Sequence, residues 1–262
     1  MNAQVNLRSL LNASKLRQAC VNLNYKPETN RSHLKKNQTM FHIHWKKLGE
    51  AASIYNDKEA VYPIVPLSPN ENWYSNTVSN PTPKAIVSFL TRWGRMRMSF
   101  DPVKIEKSIE AAKNALGTLS PYIFETVMLQ QIRSEIVSAF QHILNGTRSP
   151  VAASKTLHVL RPRLFVMWDT AIRTAYGCGD YMEPSSLSLG DTYYVYLSRV
   201  QRCVKEALIL YSKDRAIPSL DLATEKLKTE LYKAGEKPLT KIVDEYNFLK
   251  YTKGREELWV DT

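Results

Sequence analysis

The spacing of apolar residues along the body of the chain is typical of amphipathic helices. From residue 84 to residue 250 apolar side chains recur every three or four positions, and no run alternates as a half-buried β-strand does. Glycine is scarce, with nine in the whole chain. The pattern predicts a mainly α fold. Helices are expected over 102–117, 122–145, 151–160, 170–177, 191–212, 219–234 and 239–250.

Capping signals support several of these boundaries. Asp101-Pro102 and Ser149-Pro150 each pair a good N-cap residue with the proline that suits a first helical turn. Asn145-Gly146 favours a helix end. Pro162 ends the next helix, because the residue before a proline resists helical angles. These signals predict a short helix after the loop that follows Gly146.

The N-terminal part of the chain lacks this regular pattern. Residues 24–40 are polar without periodicity, and residues 61–83 hold five of the 13 prolines, which a regular helix does not accept. We therefore divide the chain into residues 1–80, a basic, partly irregular extension with a Pro-rich connector, and residues 81–262, a helical body. Residues 1–27 contain basic side chains and no acidic one, which suits either an organellar transit peptide or an amphipathic docking helix.

The chain is strongly basic, with 36 Lys and Arg against 25 Asp and Glu and a net charge of +11. The excess is concentrated in residues 1–50, which hold nine basic and two acidic side chains. A polyanion is the simplest partner for such a charge, and nucleic acid is the commonest polyanion. A basic solubilising tail is the alternative.

Other features of the composition narrow the class. No apolar run approaches the roughly 18 residues of a membrane span, so no membrane association is expected. Three widely spaced cysteines argue against a disulfide framework and a four-cysteine metal site, and they favour a reducing compartment. His42 and His44 are interpreted as a polar pair in preference to a metal site. No metal is expected.

The residues with the most informative chemistry lie between Thr147 and Gly177. Lys155 is near the start of one predicted helix, and Asp169 follows an apolar strip and opens the next. A lysine and a carboxylate brought together can serve as a nucleophile and its partner. Each residue also has a structural interpretation. Lys155 is then a solvated lysine in a first helical turn, and Asp169 is an ordinary N-cap.

Two stretches of this segment, A-S-K-T-L-H-V-L and F-V-M-W-D-T-A-I-R, resemble the helix-hairpin-helix (HhH-GPD) superfamily of DNA glycosylases, and above all its members that act on 8-oxoguanine. In the lyase-active branch of that family a hairpin leads into a helix with a lysine, and a hydrophobic stretch and an aspartate follow. The likeness is specific from Leu144 to Gly177 and generic elsewhere. Family hairpins carry glycine, whereas residues 147–153 contain none, and the interval from lysine to aspartate is shorter here by about one helical turn, which keeps the helix face in phase.

The resemblance implies a two-lobed, glycosylase-like helical fold and a bifunctional DNA glycosylase/AP lyase of base-excision repair. Such an enzyme removes an oxidised purine such as 8-oxoguanine from double-stranded DNA. Lys155 is then expected to attack the sugar C1′ of an extruded nucleotide and form a Schiff base, while Asp169 stabilises the positive charge that develops on the sugar. No cofactor is implied. The protein is expected to be a monomer, cytoplasmic or (in a eukaryote) nuclear, and not secreted.

Two other functions remain open at this point. The chain can be a non-catalytic helix-hairpin-helix protein that binds nucleic acid, or an interaction protein whose basic N-terminus docks to an acidic partner. The two differ in which part of the chain they need: the binding protein needs the segment 147–177, and the docking protein needs residues 1–50.

Further contacts are predicted around the hairpin and in the basic stretch 91–97, whose arginines flank a tryptophan. Four of these residues also have a purely structural interpretation: His158 as a core histidine, Trp93 as a core residue, Trp168 packed beneath the site, and Tyr246 on an ordinary amphipathic helix. The predicted DNA contacts are Arg148, Ser149, Val151, Ala153, His158, Arg161, Arg173, Arg92, Trp93 and Arg95, and the predicted base pocket is Trp168, Tyr246 and Phe248.

Overall fold

The computed structural model describes residues 43–58, 82–93, 96–179, 187–231, 237–255 and 258, with side chains omitted at 56–58, 92, 93 and 231. Helix makes up 73% of the structure, and the described residues contain no β-strand. The predicted mainly α fold is therefore confirmed. The helices are α1 (Trp45–Lys58), α2 (Pro83–Ser88), α3 (Pro102–Thr118), α4 (Arg133–Thr147), α5 (Pro150–Leu160), α6 (Thr170–Ala175), α7 (Leu189–Asp214), α8 (Leu220–Leu231) and α9 (Leu239–Asn247).

Short turns of other helical types extend this framework. A 3-10 turn, Leu129–Ile132, leads into α4, and π-helical turns follow α2 at Phe89–Trp93 and α9 at Phe248–Thr252. None of the described helices has the length and apolar character that a membrane span requires.

Local capping accounts for several helix starts. The Asp101 carboxylate accepts the Val103 N–H at 2.9 Å and begins α3 at Pro102. The Ser149 hydroxyl accepts the Ala152 N–H at 3.3 Å and begins α5 at Pro150. Both starts agree with the sequence prediction, because a cap depends on residues only two or three positions apart.

The start of α4 differs from the prediction, because residues 122–132 do not join the α-helix. The Phe124 N–H donates to the Arg163 carbonyl at 2.9 Å, and the Gln201 side chain donates to the carbonyls of Phe124 and Val127. These distant partners take the backbone groups that a helix would use. The end also differs, since α4 runs through Gly146 to Thr147.

The aromatic core under α7 holds the apolar strip that precedes Asp169. The rings of Tyr193 and Phe140 stack at 4.5 Å between centroids, and Trp168 meets Tyr193 edge-on at 5.0 Å. The hydroxyls of Tyr193 and Tyr196 donate to the carbonyls of Val166 and Met167 at 2.9 and 2.7 Å. Buried backbone in this strip thus finds hydrogen-bond partners without forming regular structure.

Part of the N-terminal stretch 1–80 packs on the helical body. Helix α1 contacts α7, α8 and α9, and the Trp45 indole donates to Asp214 at 2.9 Å. The described residues all belong to one compact unit, 41–262. The loop predicted at 24–40, the basic segment 1–27 and most of the Pro-rich stretch lie outside the described residues.

Candidate active site around Lys155 and Asp169

A two-residue link, Arg148 and Ser149, turns the chain between α4 and α5. Arg148 has φ 55°, in the left-handed region, and its N–H donates to the Leu144 carbonyl at 2.7 Å, which closes α4. Glycine is the usual residue in this conformation, and another residue costs about 1 kcal/mol. The turn between α4 and α5 therefore forms without a glycine at the left-handed position.

Lys155 lies in the second turn of α5, which begins one residue earlier than predicted, and is half-buried. Burial lowers the pKa of its amine. The carboxylates of Asp244 and Asp169 act in the opposite direction, and the charge of Lys241 lowers the pKa further. The fold thus places Lys155 and Asp169 close enough for their charges to interact.

Asp169 is the N-cap of α6, so its structural alternative is confirmed. Its Oδ1 accepts the Ile172 N–H at 2.8 Å, and its Oδ2 accepts the Thr252 hydroxyl at 2.5 Å. A carboxylate fixed at both oxygens has a defined orientation. The Asp169 carboxylate therefore caps α6 and also acts electrostatically on Lys155.

The site contains a second carboxyl group that sequence reasoning missed as an acid. Asp244 on α9 is 7% exposed, and burial raises its pKa to about 6. Its Oδ2 accepts Lys241 Nζ at 3.2 Å. Its effect on the pKa of Lys155 exceeds that of Asp169. No local pattern in the sequence distinguishes Asp244, because α9 (LTKIVDEYN) mixes polar and apolar residues and yet is buried along its whole length.

Two predicted DNA contacts are wrong because their side chains are fully buried. Ala153 and His158 each have 0% exposure. His158 Nδ1 lies 2.7 Å from the Phe165 carbonyl oxygen, and burial lowers the pKa of the imidazole to about 4. A neutral core histidine, the alternative given above, is what the structure contains.

Three other predicted contacts have structural roles. The Ser149 hydroxyl is occupied as a cap. Arg161 Nε donates to the Leu116 carbonyl at 3.1 Å and ties the end of α5 to α3. Arg173 is 3% exposed, with its guanidinium 5.7 Å from the Trp168 ring centroid. The burial of Arg173 leaves its side chain unavailable to a phosphate, whereas the side chains of Ser149 and Arg161 already make these structural hydrogen bonds.

Two exposed or half-buried residues at the hairpin stay compatible with DNA contact. Arg148 is exposed and Val151 is half-buried. The side chains of Arg92 and Trp93, and all of Arg95, lie outside the described residues.

The predicted base pocket is not formed by its three residues. Trp168 is 1% exposed, and its indole donates to the Pro150 carbonyl at 3.0 Å, so it packs beneath the site. Tyr246 is 1% exposed and accepts Lys250 Nζ at 2.9 Å. Phe248 is half-buried, edge-on to Tyr55 at 6.1 Å. All three belong to the packing of the body.

The chemistry available at this site is acid–base and nucleophilic. Within the described part of the chain, no group of three or more His, Cys, Asp or Glu side chains is placed to hold a metal ion. Comparison of the chain with models of known protein families, with curated proteins and with solved structures gives no match.

Proposed function

We propose that the protein is a DNA base-excision repair glycosylase with AP-lyase activity, which removes an oxidised purine such as 8-oxoguanine from double-stranded DNA. One observation carries the proposal. Lys155, on the helix after the hairpin, is an amine whose pKa burial lowers, and the carboxylate of Asp169 lies within electrostatic range of it. A lysine nucleophile must be neutral, and burial is one way to make it so.

In the proposed reaction Lys155 attacks C1′ of an extruded nucleotide. The new N–C1′ bond forms as the glycosidic C–N bond breaks, and the electron pair of the broken bond leaves with the base, which takes up a proton. Ring opening then gives the Schiff base that leads to strand cleavage by elimination. The fixed carboxylate of Asp169 stabilises the positive charge that develops on the sugar.

Charge supports the choice of DNA as the partner. The chain carries +11, and the exposed Arg148 lies at the tip of the hairpin. A cation there can neutralise a phosphate. The proposal includes a two-lobed glycosylase-like fold and action as a monomer, in the cytoplasm or nucleus.

Borohydride trapping tests the proposal. The wild-type protein is incubated with duplexes that carry 8-oxoguanine, an alkylated base, a deaminated base or an abasic site, and sodium borohydride then reduces any Schiff base. We expect a covalent adduct with 8-oxoguanine and with the abasic site, which Lys155→Gln abolishes. The matched control is Lys107→Gln, an exposed lysine on α3. Absence of an adduct on every duplex, or trapping by Lys155→Gln, overturns the assignment.

The hydrogen bonds of Asp169 favour a second candidate, a non-catalytic helix-hairpin-helix protein that binds nucleic acid. Both carboxylate oxygens have structural partners, Ile172 and Thr252. This candidate predicts salt-dependent binding to DNA that Asp169→Asn leaves unchanged, with no adduct on any duplex.

A further inference from the structure

Helix α9 is buried along its whole length, yet it is not apolar. All nine residues from Leu239 to Asn247 are buried, and Lys241, Asp244 and Glu245 are among them. A helix that is buried on every side is ordinarily hydrophobic all round. Charged side chains in such a place are costly unless they are paired.

The charges of α9 are paired in a continuous chain. Glu245 Oε1 lies 2.7 Å from Lys237 Nζ and 3.3 Å from Lys241 Nζ, and Lys241 Nζ lies 3.2 Å from Asp244 Oδ2. Lys241 and Glu245 are 0% exposed. Asp244, at one end of the chain, is the member whose charge acts on Lys155 more strongly than any other carboxylate.

Three hydrogen bonds place α9 and the π turn after it beside the segment that holds Lys155 and Asp169. The Thr240 hydroxyl donates to the Pro162 carbonyl at the end of α5. The Tyr176 hydroxyl, just after α6, donates to Asn247 Oδ1 at 3.0 Å. Thr252 in the π turn donates to Asp169. The chain is therefore attached to α9 between Lys155 and Asp169 and again just after α6, and to the π turn at the Asp169 carboxylate.

We propose that Asp244 and Lys241 are positioning residues that set, by their opposite charges, how much of Lys155 is present as the neutral nucleophile. This inference rests on the proposed lyase function. The Asp244 carboxylate stabilises the Lys155 ammonium, and the Lys241 ammonium destabilises it. Glu245 lies within ion-pair distance of both Lys237 and Lys241, which offsets the cost of burying these charges.

The direction of each effect follows from charge. The pKa of Asp244 is raised to about 6 by burial, so this group is ionised above that pH and neutral below it. When it is ionised it raises the pKa of Lys155, and Lys241 lowers it. Asp169 is a further charged group that acts on Lys155, and it raises the pKa of the amine as Asp244 does. His158, on the same helix, is neutral above pH values near 4.

The experiment measures the reactivity of Lys155 directly. Full-length protein is labelled with limiting acetic anhydride from pH 6 to 10, and mass spectrometry reports acetylation at Lys155. We expect Asp244→Asn to move the labelling midpoint to lower pH and Lys241→Gln to move it to higher pH, each by about half a unit or more. Asp221→Asn, an exposed carboxylate on α8, is the matched control.

A structural role alone would not move the midpoint in opposite directions. Equal or same-direction shifts, or none, overturn the inference. If Lys241→Gln does not fold, the labelling midpoint of Asp244→Asn alone tests the inference. Asp244→Glu is then expected to restore the wild-type midpoint. The same variants are then compared in borohydride trapping on an abasic-site duplex. For each variant, the acid limb of the pH–rate profile should shift in the same direction as its labelling midpoint.

The two proposals fail differently. Shifted labelling midpoints without any trapped adduct overturn the lyase function and support the charge effect. A trapped adduct at Lys155 with unshifted midpoints supports the lyase function and overturns the role of Asp244 and Lys241.

Discussion

The Thr252 hydroxyl donates a 2.5 Å hydrogen bond to Oδ2 of Asp169, and the two residues are 83 positions apart in the chain. The other oxygen of the carboxylate accepts the Ile172 N–H. One group therefore caps α6, joins it to the π turn after α9 and acts electrostatically on Lys155. Variants of Asp169 must separate its structural effect from its proposed chemical one.

Asp169→Asn and Asp169→Ala should make that separation. Asparagine is as good an N-cap as aspartate, whereas alanine should lower the free energy of unfolding by about 1 kcal/mol. Asparagine lacks the charge, so the rate of Schiff-base formation should fall by about 100-fold while stability is kept. Urea unfolding and single-turnover trapping measure the two effects. Wild-type trapping by Asp169→Asn would show that the carboxylate is only a cap.

A close approach of α4 to α3 makes Gly146 irreplaceable. A Cβ at this position would lie 2.8 Å from the Lys104 carbonyl oxygen and closer still to the Ser108 side chain. Gly146→Ala should therefore lower the free energy of unfolding by about 1–3 kcal/mol. Gly117→Ala is the control, since no atom beyond its own helix backbone lies within 4 Å of the place a Cβ would take, and it should be stabilising by up to about 1 kcal/mol. Equal stability of the two variants in urea would contradict this packing.

The sequence predicts those parts of the fold that depend on neighbouring residues. The caps at Asp101, Ser149 and Asp169 were predicted because donor and acceptor are two or three positions apart. The start of α4 was not, because Phe124 bonds to partners far along the chain. Asp244 was missed for a similar reason: its raised pKa depends on the burial of α9, which no local pattern reports.

The predicted contacts around the hairpin show the same limit. The sequence pattern predicts α5, but it does not show that the side chains of His158 and Ala153 are fully buried. Helix α5 packs on α4 and on the π turn Phe89–Trp93 and buries eight of its eleven residues. The sequence pattern of so short a helix does not distinguish a buried side from one that faces a ligand.

Arg148 is expected to lower the stability of the fold and to raise its affinity for DNA. Glycine accepts φ 55° without strain, so Arg148→Gly should raise the free energy of unfolding by about 0.5–1 kcal/mol. Arg148→Ala keeps the strain and should leave stability nearly unchanged. Both variants lose a cation at the hairpin, and the salt dependence of DNA binding should weaken by about one unit in log–log slope. An unchanged slope in both would exclude Arg148 from the DNA interface.

The buried His158 should make stability depend on pH. Its pKa is about 4 in the folded protein and 6.5 ordinarily, so the unfolded chain takes up the proton first as the pH falls. The free energy of unfolding should therefore fall between pH 6.5 and 4, by up to about 3 kcal/mol from this group. Asp244, whose pKa is raised to about 6, acts in the opposite direction over part of that range.

His158→Asn isolates the histidine from that opposing effect, since the asparagine amide can still donate to Phe165. Its stability relative to wild type should improve steadily as the pH is lowered from 6.5 to 4 in urea titrations. A constant difference between the two proteins would mean that His158 is not held neutral.

The position of the trapped adduct decides whether Lys155 is the nucleophile. Wild-type protein is reduced with borohydride on an 8-oxoguanine duplex, digested, and the peptide that carries the residual nucleotide is sequenced by mass spectrometry. We expect modification at Lys155 alone, and none in Lys155→Gln. Modification at another lysine, or no adduct from a protein that binds the duplex, contradicts it.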